Sequence, residues 1–444
     1  MSETLDLRSV AKIGRPPGPI HATLRPPGSK SLSNRALLLA AIARGPTRIH
    51  GCLDADDTVL MLGCLDQLGV KVHRTGPQIA DGLELSGDPR VGVATGEPTL
   101  NVGTAGTVAR FLTAALAGAR EPAWDAVIVD GSPRMRERPM DTLLSALTEL
   151  GARFEWRGVP GALPVRVLGG RGLSGGRIIL ERPASSQFVS ALLIAGCSAL
   201  GPVSIELREG TPARPYVDMT LAVIESFGGS ATWSNDGTTL VVEPRELQGC
   251  PRYVVEPDAS AASYLLTLPL IWGGEVTIPE LGSASLQGDA AFCRVLERFG
   301  ASVEQTPDST TVRGGAALRG QQLDLTDMPD MTLTAAVLAL FAAGPTRIRG
   351  VEVLRHHESD RLAAGATELR KLGAEVVEHE DGLDIEPPAN GPRRGVAIDT
   401  YLDHRMAMAF AMVGEVQIND PRCVDKTFPR YFEVLAQLGF PVTQ

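Results

Sequence analysis

The sequence predicts an α/β fold (α+β in its sheet arrangement) built from six repeated β/α units, with buried helices inside and sheets outside. Two alternating series of features point to it. The first is a helix-ending pattern: an apolar residue, two variable residues, Leu or Phe, then Gly. It occurs at Leu65–Gly69, Leu147–Gly151, Ile224–Gly228, Leu296–Gly300, Leu369–Gly373 and Leu435–Gly439. Successive glycines lie between 66 residues (373 to 439) and 82 residues (69 to 151) apart. The second is a set of Ala/Leu-rich segments, apolar on nearly all sides and each preceded by a polar cluster. They begin near Ser31, Thr104, Ser185, Ser260, Asp330 and Asp403.

Each pattern has a physical reading. The glycine-ended segments are amphipathic, and a glycine just past the last turn closes a helix. Alternating apolar runs follow, such as Val70-Lys71-Val72 and Ala374–Val377, which read as strands. A helix apolar all round is a buried helix, so each unit supplies one buried and one half-exposed helix. Further strand-like runs lie between them, at Thr47–Ile49, Val203–Ile205, Val276–Ile278 and Thr346–Ile348. An open solenoid is the competing arrangement. Its repeats are usually about 20–50 residues long with polar terminal caps. Here the units are longer and the terminal ones as apolar as the rest, which favours a closed arrangement.

The 444 residues carry 42 Lys+Arg against 52 Asp+Glu, a net charge of −10. A generic nucleic-acid binder carries a basic footprint and is excluded; anionic small ligands are not, because a few cations can gather in one place. The six cysteines, Cys52, Cys64, Cys197, Cys250, Cys293 and Cys423, form no CxxC pair. That argues against a zinc or redox motif and suits a reducing compartment. Met1–Asp6 lacks the basic-then-apolar pattern of a signal peptide. The apolar stretch around Ala36–Ala43 is too short to span a bilayer, which takes about 20 residues. The expectation is a soluble, cytoplasmic protein.

Polar and cationic residues cluster where the buried helices begin. A helix N-terminus offers unpaired N–H groups and the positive end of the dipole, both suited to anions. Pro27–Arg35 places Ser31 and Arg35 four apart, on one helix face, without the spaced glycine of a P-loop. Asn101–Arg110 brings two glycines before a helix, for a ligand or for close packing. Asp130–Pro139 carries three arginines between prolines, which predicts a rigid loop presenting guanidinium groups. Pro183–Phe188 offers Ser185, Ser186 and Gln187, more than one cap needs. Pro329-Asp330 reads as a cap, whereas Arg405, just inside a nearly all-apolar helix, requires an anion. His356–Leu362 is a polar run without HExxH spacing, and Lys426 read alone is a surface lysine. Taken singly, each has an ordinary structural account. Taken together, at equivalent points of a repeat, they predict a site for two multiply anionic substrates.

These segments resemble the 5-enolpyruvylshikimate-3-phosphate synthase family over essentially the whole chain. The residues that carry the resemblance are Pro27–Ser31 with Ser33–Arg35, Ala105–Thr107, Pro133–Met135, Ser185–Gln187, Pro329-Asp330, Glu358–Leu362, Asp403–Ala407 and Lys426–Pro429. The resemblance implies a two-lobed inside-out α/β barrel with three units per lobe. One lobe would comprise residues 1–28 plus 257–444 and the other residues 29–256, with the active site in the cleft between them. It implies transfer of the enolpyruvyl group of phosphoenolpyruvate to the 5-hydroxyl of shikimate 3-phosphate, with release of phosphate. No cofactor and no metal are implied, nor a nucleic-acid or membrane partner, and a monomer is expected.

Carried over by position, Lys30, Gly106, Arg134, Gln187, Arg361, Arg405 and Lys426 should hold phosphoenolpyruvate. Lys30, Ser31, Arg35, Ser185, Ser186, Gln187, Tyr216, Asp330 and His357 should hold shikimate 3-phosphate. Asp330 is the implied base for the 5-hydroxyl, with Glu358 and Lys30 exchanging the proton at C3. Gly106 would line the pocket where glyphosate competes. The chain departs from the common family pattern at Thr104, Phe111, Ala213, Val353 and His357. Two alternatives stay open. The sister enzyme acting on UDP-N-acetylglucosamine typically has Asn after the first-motif lysine and a loop cysteine. Here Ser31 follows Lys30, and no Cys lies between Cys64 and Cys197. The other alternative is a non-catalytic repeat binding protein.

Overall fold

The computed structural model describes residues 9–88 and 96–443; Met1–Asp6, read above for a leader, lie outside them. The chain divides into two compact units, Met1–Pro27 with Pro257–Gln444, and Gly28–Glu256. Six four-stranded sheets are seen among the described residues, three in each unit.

All six sheets share one topology. In the sheet at the middle of the Gly28–Glu256 unit, Thr99–Asn101 runs parallel to Ala126–Asp130. Val165–Leu168 and Phe154–Trp156 then add antiparallel. The buried helix Gly106–Gly118 connects the parallel pair, the crossover such a pair requires. The same order recurs in the other five. Three sheets draw a strand from far along the chain. Tyr253–Val254 pairs with Gly45–His50, Ile20–Thr23 with Gly274–Pro279, and Val10–Ile13 with Val416–Asn419.

Within Gly28–Glu256 the buried helices are Lys30–Ile42, Gly106–Gly118 and Ser186–Gly196. Gly106–Gly118 packs on both others, close enough at Gly118 that a Cβ there would sit 3.1 Å from the Ala195 carbonyl. In the other unit, Thr332–Ala339 packs on Ala259–Trp272 and His404–Ala411. Each unit has its own apolar core, formed by these helices and the inward faces of the sheets. The half-exposed helices end at Gly69, Gly151, Gly228, Gly300, Gly373 and Gly439, all at positive φ, the conformation glycine adopts without a Cβ clash. No helix among the described residues is long and apolar enough to cross a membrane.

Two local expectations change. The arginine-rich segment is a short helix, Pro133–Glu137, rather than a loop. Pro133 presets φ at its first position and the Ser132 hydroxyl accepts from the Met135 N–H at 3.2 Å. Lys426 is buried rather than at the surface, at the end of the 3₁₀ turn Pro421–Lys426.

Candidate active site

The unit that contains both termini gathers six of the expected residues into one network. Its centre is Arg361, the first residue of the helix Arg361–Lys371, with a side chain 2% exposed. Its Nε donates to Asp403 Oδ2 at 2.8 Å and its Nη2 to Asp403 Oδ1 at 3.3 Å. Nη1 donates to Asp330 Oδ1 at 2.8 Å and Nη2 to Glu358 Oε2 at 2.9 Å. His357 Nδ1 lies 3.0 Å from Nη1. From there the network branches. Arg405 Nη2 donates to Asp330 Oδ2 at 2.6 Å, and Lys426 Nζ to Glu358 Oε1 at 2.9 Å. Desolvation alone would pull Arg361 down, but Asp403, Glu358 and Asp330 outweigh it and hold the guanidinium above its ordinary pKa.

Local sequence explains how these groups meet. Asp360 caps the Arg361 helix, accepting from the N–H groups of Leu362 and Ala363 at 3.1 Å each. Asp403 caps the helix His404–Ala411 through the Arg405 N–H at 2.9 Å. The same carboxylate accepts from Ser359 Oγ at 3.0 Å. Asp330 lies in the 3₁₀ turn Pro329–Met331 ahead of the helix Thr332–Ala339, so it projects from a bend rather than capping. Arg405 reaches Tyr264 Oη at 3.3 Å. Burial pushes that phenol up to about 12, with Arg405 partly offsetting it. Three cations, Arg361, Arg405 and Lys426, thus face three carboxylates, Asp330, Glu358 and Asp403, a balanced set around the buried Arg361.

In the unit Gly28–Glu256 the expected residues lie near the starts of five helices, Lys30–Ile42, Gly106–Gly118, Pro133–Glu137, Ser186–Gly196 and Arg214–Ser226. Lys30 Nζ is 3.6 Å from the buried Asp57 Oδ2. Arg35 is buried. It donates to Thr220 Oγ1 at 2.7 Å, the Ser31 carbonyl at 2.9 Å, Ser190 Oγ at 3.2 Å and the Tyr216 carbonyl at 3.1 Å. Its guanidinium stacks on the Phe111 ring, 5.0 Å from the centroid. Burial lowers Arg35 to about 10, partly opposed by Tyr216 and Tyr253. Ser185 caps its helix through the Gln187 N–H at 3.2 Å, and Ser186 is buried beside it. Arg134 is 40% exposed and pairs with Glu137 at 3.0 Å.

Gly106 lies against two side chains outside the expected set, Arg110 and Arg138. A Cβ built there would lie 2.8 Å from Arg110 Nη1 and equally close to both terminal nitrogens of Arg138. Arg110 donates to Gln187 Oε1 at 2.6 Å and packs over the Phe188 ring at 5.0 Å. Arg138 donates to the Thr104 carbonyl at 3.3 Å. Two buried guanidinium groups therefore border the backbone at Gly106. Arg110 stands in a largely apolar helix, as Arg405 does, the sequence mark of a buried cation with a partner. Asp57, Asp403 and Tyr264 also join these networks.

Comparisons with known proteins show the family. A family model described as EPSP synthase (3-phosphoshikimate 1-carboxyvinyltransferase) matches residues 15–435. The chain is 42% identical over 424 residues to a 3-phosphoshikimate 1-carboxyvinyltransferase of Pseudoalteromonas translucida, covering 95% of this chain and 97% of that one. It is 43% identical over 434 residues to the chloroplastic enzyme 1 of Nicotiana tabacum, covering 94% of this chain and 83% of that one. Its fold is similar to that of the EPSP synthase of Acinetobacter baumannii, with a TM-score of 0.80 at 24% identity over 98% of this chain and all of that one. The enolpyruvyl transferase NikO of Streptomyces tendae is similar in fold as well, at a TM-score of 0.78 and 17% identity, with 98% of this chain and 99% of that one covered. The chain belongs to the EPSP synthase (3-phosphoshikimate 1-carboxyvinyltransferase) family.

Proposed function

We propose that this chain, as a monomeric cytoplasmic enzyme, transfers the enolpyruvyl group of phosphoenolpyruvate to the 5-hydroxyl of shikimate 3-phosphate. The products are 5-enolpyruvylshikimate 3-phosphate and inorganic phosphate. The observation that carries the reading is the network around Arg361, in which Asp330, Glu358, His357, Arg405 and Lys426 all meet.

On this reading Arg361, Arg405 and Lys426 take the carboxylate and phosphate of phosphoenolpyruvate, together with Lys30, Arg134 and Gln187. Their carboxylate partners hold the cations aimed for the ligand's anionic oxygens. Preaimed cations need no reorganisation when charge moves, and that is where such sites gain rate. Ser31, Arg35, Ser185, Ser186, Gln187 and Tyr216 serve shikimate 3-phosphate. Arg35 already spends four of its five N–H groups within the fold, so it fixes Ser31 and the Tyr216 backbone and has one donor left for ligand.

The chemistry then needs two proton movements. Asp330, fixed by Arg361 and Arg405, takes the proton of the 5-hydroxyl as its oxygen bonds to C2 of phosphoenolpyruvate. Glu358 or Lys30 supplies a proton to C3, giving a tetrahedral intermediate. The bond from C2 to the phosphate oxygen then breaks while C3 returns a proton, which restores the double bond.

The sister reaction uses a cysteine on phosphoenolpyruvate, and that requires an accessible thiolate. Burial pushes Cys52, Cys64, Cys197 and Cys423 up to about 12. A phosphate-release assay decides between the two. Release with phosphoenolpyruvate and shikimate 3-phosphate is expected. Release only with UDP-N-acetylglucosamine moves the chain to the sister activity, and release with neither leaves a binding protein.

A further inference from the structure

The segment between the strand Val396–Ile398 and Asp403 has an unusual backbone. Asp403 N–H donates to the Thr400 carbonyl at 2.8 Å, closing a turn whose central residues are Tyr401 and Leu402, at φ +54° and +56°. Two successive positive φ values define a type I′ turn, which favours Asn and Gly. A Cβ crowds its own backbone there, so Tyr-Leu is a poor choice for stability alone. Both side chains are exposed, at 43% and 66%, so core packing does not account for them.

The turn is held from the helix that carries Arg361. Glu368, fully buried and seven residues after Arg361, lies about 10 Å further along the helix on nearly the same face. Its Oε1 accepts from Tyr401 Oη at 2.8 Å, and its Oε2 from the Asp399 N–H at 3.2 Å. Lys371 Nζ bridges Glu368 at 2.8 Å and Asp399 at 2.7 Å, and Asn419 Nδ2 donates to Asp399 at 2.7 Å. Residues 399–403 therefore run along one helix and are pinned to it at two places: Glu368 with Tyr401 and Asp399, and Arg361 with Asp403.

We propose that Glu368, Tyr401 and Leu402 are positioning residues for the proposed reaction: the strained turn, latched to Glu368, sets where the Asp403 carboxylate stands and so where Arg361 points. Strain held beside a functional group by surrounding contacts is a form of preorganisation. The inference rests on Arg361 as a phosphoenolpyruvate ligand.

Two variants test it by steady-state kinetics and thermal unfolding. Leu402→Gly releases the turn at its second residue; Tyr401→Phe removes only the hydroxyl. Both are expected to raise the KM for phosphoenolpyruvate, Leu402→Gly by about tenfold, with a much smaller change in kcat. Leu402→Gly should hold or raise Tm, because relief of the strained φ offsets the added backbone freedom that loosens the turn. Unchanged KM in both variants overturns the latch. A fall in Tm and apparent kcat at unchanged KM overturns it too, since the turn would then serve folding only. A wild-type protein that releases no phosphate overturns the functional reading and takes the latch with it.

Discussion

Asp403 holds Arg361 through both carboxylate oxygens, at 2.8 and 3.3 Å, while one of those oxygens also caps the next buried helix. A helix cap and the orientation of a buried cation thus share one side chain. Removing one partner of a buried pair leaves the other charge uncompensated, at a cost of roughly 3–5 kcal/mol. Asp403→Ala should lose about that much stability in urea unfolding, and Asp403→Asn distinctly less because it keeps an acceptor. An unchanged unfolding midpoint in Asp403→Ala would show that Arg361 is held by other means.

Asp330 and Glu358 each join two cations, so their isosteric amides are the informative variants. Asp330→Asn and Glu358→Gln preserve shape while removing the proton-accepting charge. Each should lower kcat by about 10²–10⁴-fold with little change in Tm. A near-normal rate in either would remove that residue from the proton transfers.

Gly106→Ala tests the two guanidinium groups that border it. The atoms nearest the added Cβ are the far ends of Arg110 and Arg138, at 2.8 Å, and those can move. Stability should stay within about 1 kcal/mol of wild type, typical of a change the structure can absorb. The displaced cations should raise the KM for phosphoenolpyruvate by about tenfold or more. A normal KM would separate Gly106 from that site.

Alkaline titration tests two phenols, the exposed but hydrogen-bonded Tyr401 and the buried Tyr264. Partial desolvation of its hydroxyl, and then the Glu368 hydrogen bond, raises Tyr401 to about 12, and burial raises Tyr264 to about 12 as well. An unfolded tyrosine titrates near 10. The folded state therefore binds these protons more tightly, and their contribution is complete below pH ~10 and is lost as pH climbs toward ~12. Urea stability should fall across that window, and phenolate absorbance should lag behind that of the unfolded chain. A flat stability profile over the same window would contradict these shifts.

The sequence shows much of this because its signals are local. The glycine after each half-exposed helix marks a left-handed backbone position, and all six are found at positive φ. Arg405 announces an anion partner by standing in an apolar helix, and Asp330 is that partner at 2.6 Å. Arg110 carries the same signal. The pairing of Tyr253–Val254 with Gly45–His50 joins residues some two hundred apart in the chain, and no local pattern encodes it. The arginine-rich segment reads as a loop because its prolines look like breakers, yet Pro133 stands at the one helical position proline favours. The turn at Tyr401-Leu402 was hidden for the opposite reason: neither residue type signals a left-handed backbone.

The reaction run in deuterium oxide, with mass spectrometry of the product, tests the central claim most directly. The account predicts an enolpyruvyl ether of shikimate 3-phosphate with deuterium on the vinyl carbon, because C3 must gain a solvent-derived proton and return one. Glu358→Gln should abolish or sharply slow its formation. A product formed at normal rate without deuterium, or no product from wild-type protein and both substrates, would contradict the account.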